Sequence, residues 1–232
     1  MTTNLERRFA DARVDVRLRS EGETRNTIGG YAAVFNKRSD DLGGFYEVIA
    51  PSAFNESRGR GFPGLVALYN HDQNILLGTT NARTLRVDVD KVGLAYEVDL
   101  PQARSDLYEL VQRGDVSKSS FAFQVVGKEG DQWEMDERGL VRRTLLNAQL
   151  FDVSPVNTPA YQDSSVGLRS TELALRSLAN RMSADPAEVL AAAKDQELRR
   201  FFKRSDRPSA EKPQTSAAAA LSLVLSKARP SV

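Results

Sequence analysis

The 232-residue chain contains no cysteine and a single histidine, His71. Without thiols there is no disulfide scaffold, no thiol nucleophile, no iron–sulfur cluster and no zinc site built on thiolates. One imidazole excludes the HExxH zinc helix and every site that needs two histidines. An excess of one charge is missing too. Thirty-two basic residues against 31 acidic ones leave a formal net charge of +1, so no global field draws nucleic acid to the surface. No run approaches the roughly 20 apolar residues of a membrane span. The stretch from Met1 to Leu18 has no apolar signal core. The expectation is a chain made and used inside a cell, with no membrane, no direct nucleic-acid contact, no metal and no cofactor.

What is present changes character near residue 165. Before it, apolar residues alternate as they do in half-buried strands. Leu85, Val87 and Val89 share one face, Lys91-Val92-Gly93 turns the chain, and Leu94, Tyr96, Val98 and Leu100 resume the pattern. That predicts an antiparallel hairpin. Further strands are expected at Val14–Leu18, 29–35, 120–125, Val141–Leu146 and Ala148–Val153, with a turn at 136–139. Between them Ser105 is placed as the cap of a short helix carrying Leu107, Leu110 and Val111, with Gly114 ending it. After residue 165 alanine, leucine and charge take over. A weak helical stripe spans Thr171–Arg181, and Asp185, Pro186 and Glu188 form a capping box that opens a second helix running to about Phe202. The predicted class is mainly β with α: a closed, barrel-like sheet with peripheral helices and a helical or flexible C-terminal extension. The boundaries read as a β-rich domain over 1–167, a helical extension over 168–204 and a flexible, removable tail over 205–232.

Three stretches could carry chemistry. His71 ends the apolar run 65–69 between Asn70 and Asp72, so its ring belongs at a strand end; histidine serves structural and catalytic purposes alike. In Ser117-Lys118-Ser119-Ser120-Phe121-Ala122-Phe123, alternation puts Ser119 on the face of the phenylalanines. Ser120 and the small Ala122 then share the opposite face. Taken alone, serines at a loop-to-strand junction serve turn hydrogen bonds just as well. Asp152 interrupts the apolar strand Leu150-Phe151-Asp152-Val153. A carboxylate there needs a partner, unless it faces outward from an edge strand.

Taken in order, these stretches resemble the HK97-type prohead proteases of tailed bacteriophages. The resemblance runs from about Gly29 to Gly167. It is carried by Gly30-Tyr31-Ala32-Ala33-Val34-Phe35, Glu47-Val48-Ile49-Ala50-Pro51-Ser52-Ala53-Phe54, and Asn70-His71-Asp72 with Leu77-Gly78. Asp90 with Gly93-Leu94, Ser120-Phe121-Ala122-Phe123, and Asp152-Val153-Ser154-Pro155-Val156 with Pro159-Ala160-Tyr161 complete the set. At fold level the family is similar to the herpesvirus assembly proteases, which are β-barrels surrounded by helices. The resemblance implies a serine endopeptidase in the host cytoplasm, inside the prohead, that cuts scaffold and major-capsid-protein segments and trims itself. A homo-oligomer is compatible with it.

A serine hydroxyl needs a neighbouring base, and here the only imidazole is His71. That ring then needs an orienting partner, and Asp152 matches the position of the family's acidic residue. The implied roles are general base for His71, nucleophile for Ser120 and orienter for Asp152. The sequence departs from the family in having Ser119 where Met is usual and Ala122 where Gly is usual. Ser119 therefore competes as nucleophile, and Asp72 and Glu47 compete as the acid. Backbone N–H groups near Ser120 are the default oxyanion donors, with Arg142 or Arg143 as helpers through water. Two rival readings stand beside this one. The first is a Ser-Lys hydrolase using Lys118, which would need burial to be neutral. The second is an inactive assembly or scaffold protein that keeps the barrel. Self-trimming is expected beyond about Gly167, where the strand pattern is lost.

Overall fold

The computed structural model describes residues 5–17, 25–157 and 165–202. The expected tail over 205–232 lies outside the described residues. In chain order the elements are β1 (Glu6–Arg13), β2 (Asp15–Val16), β3 (Thr27–Val34), β4 (Phe45–Ile49) and α1 (Asn55–Gly59). Next come β5 (Val66–Tyr69), β6 (Asp72–Thr79), β7 (Leu85–Val89), β8 (Gly93–Asp99), α2 (Ser105–Arg113) and β9 (Lys118–Val125). β10 (Asp131–Met135), β11 (Val141–Leu145), β12 (Ala148–Val156), α3 (Ser165–Met182) and α4 (Pro186–Lys194) complete the set.

The strands form three sheets. Five strands run in the order β1-β9-β12-β5-β6, four in the order β2-β3-β8-β7, and three in the order β10-β11-β4. The protein is mainly β with some helix, as the alternation predicts, but the closed barrel is not found: among the described residues no sheet closes on itself. The chain corners at Val14, whose N–H donates to the Ser117 carbonyl, and leaves β1 for the other sheet as β2. β2 pairs only with Ile28 and Gly29. The rest of β3 runs beside β1 without a ladder between them. Gly30 lets this corner approach, since a Cβ there would stand 2.7 Å from the Arg13 carbonyl oxygen.

The five- and four-stranded sheets share one core that includes Ile28, Leu94, Tyr96, Val98, Phe121, Phe123 and Val153. A second core lies on the three-stranded sheet, where Phe45, Trp133 and Val141 meet Leu175, Leu178 and Val189 of α3 and α4. The 85–100 hairpin forms as predicted, with β7 antiparallel to β8, and Asp90 accepts from the N–H groups of Val92 and Gly93 in the turn. Several local expectations shift. Ser105 is the first residue of α2 and caps nothing with its side chain, because a 3-10 turn over Gln102–Arg104 precedes it. Gly114 does end α2, in the left-handed conformation. Asp185 caps α4 by accepting from the Ala187 N–H, but α4 stops at Lys194 and Gln196 turns at φ 55°. β1 is an element that the alternation of apolar residues does not announce.

Candidate active site

His71 sits in a two-residue loop. β5 and β6 are antiparallel with Tyr69 opposite Asp72, and the intervening Asn70 and His71 have φ of 53° and 58°. Positive φ at both positions is the pattern of a type I′ hairpin turn, a conformation that Asn and His adopt more readily than most residues with a Cβ. The loop is fastened to β12. Asn70 N–H donates to the Pro155 carbonyl, Asn157 N–H donates to Asn70 Oδ1, and His71 N–H donates to Ser154 Oγ.

Asp152 arrives by a register shift. Leu150 stands opposite Phe123, but Asp152 stands opposite Ala122, so Phe151 is an extra residue in β12. Such a bulge re-aims the residues after it. Without the extra residue Asp152 would stand opposite Phe121 and face the core. With it, Val153 faces the core, while Asp152 and Ser154 join the face of Ala122 and Ser120. β12 lies between β9 and β5, so Asp152 is not the outward charge of an edge strand. The serine pair divides as alternation requires. Phe121 and Phe123 are fully buried in the core, and Ser119 shares their face and meets the Tyr96 hydroxyl at 3.0 Å. Burial pushes the Tyr96 phenol up, against the lowering effect of Ser119, so this core contact is between two neutral hydroxyls. Ser120 is on the other face.

The three predicted residues meet there. His71 Nδ1 lies 2.5 Å from Asp152 Oδ1, and His71 Nε2 lies 2.6 Å from Ser120 Oγ. All three are buried, Ser120 completely. In the tautomer with its proton on Nδ1, the ring donates to the Asp152 carboxylate and Nε2 accepts from Ser120. Ser120 Oγ has a second acceptor in reach, the Arg8 carbonyl of β1 at 3.0 Å. One proton serves one of them at a time. This arrangement can take a proton from a hydroxyl and hold the imidazolium that results.

Competing residues lie elsewhere. Asp72 is exposed and accepts from Asn74. Lys118 is exposed, and the hydrogen bonds of Ser120 go to His71 and Arg8. Glu47 and Arg143 belong to a buried network under β1. Arg8 donates to Glu6 and Glu47, and Arg143 donates to Glu6, Glu47 and Asp131. Arg181 of α3 completes the network on Asp131. Burial alone would raise the Glu6 and Asp131 carboxyls, but Arg143, together with Arg8 at Glu6 and with Ser177 and Arg181 at Asp131, outweighs it and both lie below the ordinary carboxylate range. Burial opposes the Arg143 charge as well, and the carboxylates around it hold it on. Arg143 is thus committed to carboxylates, and Arg142 pairs with Glu134 of β10. Neither fits the expected role of oxyanion helper.

The sequence reading missed Ser154. Its hydroxyl donates to Asp152 Oδ1 at 2.9 Å and accepts from the His71 N–H at 3.2 Å, and it is fully buried. The available signal was its position two residues after Asp152, on the same strand face.

Comparison with known proteins agrees in kind. The model of a family described as caudovirus prohead serine protease matches residues 13–177, well over half the chain. No curated protein and no solved structure matches.

Proposed function

Because the chain belongs to the caudovirus prohead serine protease family, we propose that His71, Ser120 and Asp152 are its catalytic triad. The 2.6 Å approach of His71 Nε2 to Ser120 Oγ carries this reading. Ser120 Oγ attacks the scissile carbonyl as His71 Nε2 takes its proton; the same nitrogen later returns a proton to the leaving amine. Asp152 holds the ring in the required tautomer and stabilises its charged form. The capsid proteins that the family implies as substrates are cut inside the prohead, and scaffold segments and the chain's own C-terminal region are cut there too. With Ser120 fully buried, a substrate must open this face before Oγ is reached. Turnover is then slow on dilute peptides and sufficient where substrate is confined at high concentration.

Self-cutting is expected beyond Phe202, since α3 and α4 complete the second core. Intact-mass analysis of purified protein tests the triad: wild type shortens, whereas Ser120→Ala, His71→Ala and Asp152→Asn stay full length over the same hours. Trimming of pure Ser120→Ala at the wild-type rate would remove Ser120 from the role of nucleophile. No helix among the described residues is long and apolar enough to cross a membrane.

A further inference from the structure

A cavity of about 420 Å³ opens where the two larger sheets fail to join. Its walls are the outer edge of β1, the end of β3, the segment leading to β4, Lys118 at the start of β9, and Ser170 and Thr171 of α3. Phe9 stands opposite Ser120 in the β1–β9 ladder. Opposite residues of an antiparallel pair share a face, as do residues two apart on one strand. Arg7, Phe9 and Lys118 therefore belong to the face of Ser120, and all three line the cavity. Opposite Cβ atoms are about 5 Å apart in such a pair, so the cavity begins one side chain away from the nucleophile.

The lining is cationic. Of its carboxylates, Glu47 is held by Arg8 and Arg143, which leaves Asp40 among Arg7, Arg38 and Lys118. Arg38 also stacks over the Tyr46 ring, 4.3 Å from its centroid. We infer that this cavity is a specificity pocket for an acidic side chain of the protein substrate, within about two residues of the bond that is cut. The inference rests on Ser120 as nucleophile. Two residues of extended chain span about 7 Å, which is also the spacing of Lys118 from Ser120 along β9. Arg7 and Lys118 supply the attraction, Phe9 the apolar wall for the acid's methylenes.

The test compares matched peptides from the capsid-protein segment that differ by Glu or Gln at positions flanking the cut. Wild type is expected to favour a Glu peptide by roughly fivefold to tenfold in kcat/KM, and the preference should shrink as salt is raised. Arg7→Glu with Lys118→Glu should abolish or invert that preference. Equal rates on Glu and Gln peptides in wild type, or a preference untouched by the double reversal, would overturn the pocket. Binding of the labelled peptides to Ser120→Ala, with and without the double reversal, reads the same contrast without turnover. Loss of triad activity therefore cannot be mistaken for loss of the pocket. A single-stranded oligonucleotide that binds as tightly as the Glu peptide, and is released by the same reversal, would also overturn it in favour of a general polyanion site.

Discussion

His71 holds a left-handed backbone position that glycine fills with less strain, at about 1–2 kcal/mol for a residue with a Cβ. Its neighbours hold it there: Asn70 is tied to Pro155 and Asn157, and the His71 N–H is tied to Ser154. Ser154 touches both the ring-bearing backbone and the Asp152 carboxylate, so it is a positioning residue. Ser154→Ala is expected to lower kcat by about 10- to 100-fold with KM nearly unchanged, since small misplacements at a reacting centre have effects of this size. Ser154→Thr, which keeps the hydroxyl, should restore part of the rate. An Ala variant with wild-type kcat, or a Thr variant no faster than Ala, would leave Ser154 a packing residue.

At the scale of elements, β1 is held by charge. Glu6 and Arg8 point inward beside Phe123 and Phe121, where an ordinary strand would place apolar residues, and so the strand is invisible to a search for alternating hydrophobicity. Arg143→Met would remove the bidentate partner of buried Glu6 and one cationic partner each from buried Glu47 and Asp131. A loss of about 3–5 kcal/mol is expected in urea unfolding, with β1 the first element to lose amide protection. The four-stranded sheet has its own charged tie. The Arg86 guanidinium, hydrogen-bonded to Asp99, holds that carboxyl down at about 2, with Thr27 and Arg25 adding to it. A carboxyl lowered by folding stabilises fully above its unfolded value near 4, and this stabilisation is lost as pH falls toward 2. Arg86 is about half exposed, so solvent reduces the contribution to about 1–2 kcal/mol. Unfolding free energies from urea at pH 6 and pH 2.5 should differ less in Arg86→Met than in wild type, by the larger part of that amount.

At the scale of the whole molecule, the described residues form two cores, and the only tryptophan in the sequence, Trp133, reports on the second. The Trp133 ring lies 4.8 Å from that of Phe45, tilted at 57° to it, and is buried under α3 and α4. A chain ending at Phe202 keeps every residue of both cores and should keep the wild-type melting temperature. A chain ending at Asn157 should expose Phe45, Trp133 and Val141, shift the tryptophan emission to the red and aggregate. Unshifted emission in the shorter chain would mean that the second core does not depend on the helices. α3 also holds β1, since Ser170 Oγ accepts from the Arg7 N–H. The helices therefore bear on the strand that flanks Ser120.

By itself, the sequence determined the hairpin at 85–100, the turn at Gly114, the cap at Asp185 and the opposed faces of Ser119 and Ser120. All of these come from period-two alternation and from local backbone chemistry within a few residues. It also limited any imidazole chemistry to His71, because there is no other. Only the tertiary structure decided the rest. The extra residue at Phe151 turns Asp152 from the core to the face of Ser120, and an even alternation gives no sign of it. Glu6, Arg8 and Arg143 are at home in the interior only because carboxylates and guanidinium groups distant in sequence meet there. The barrel stays open because β2 covers only two residues of β3. Strand pairing between distant segments sets that length, and no local pattern records it.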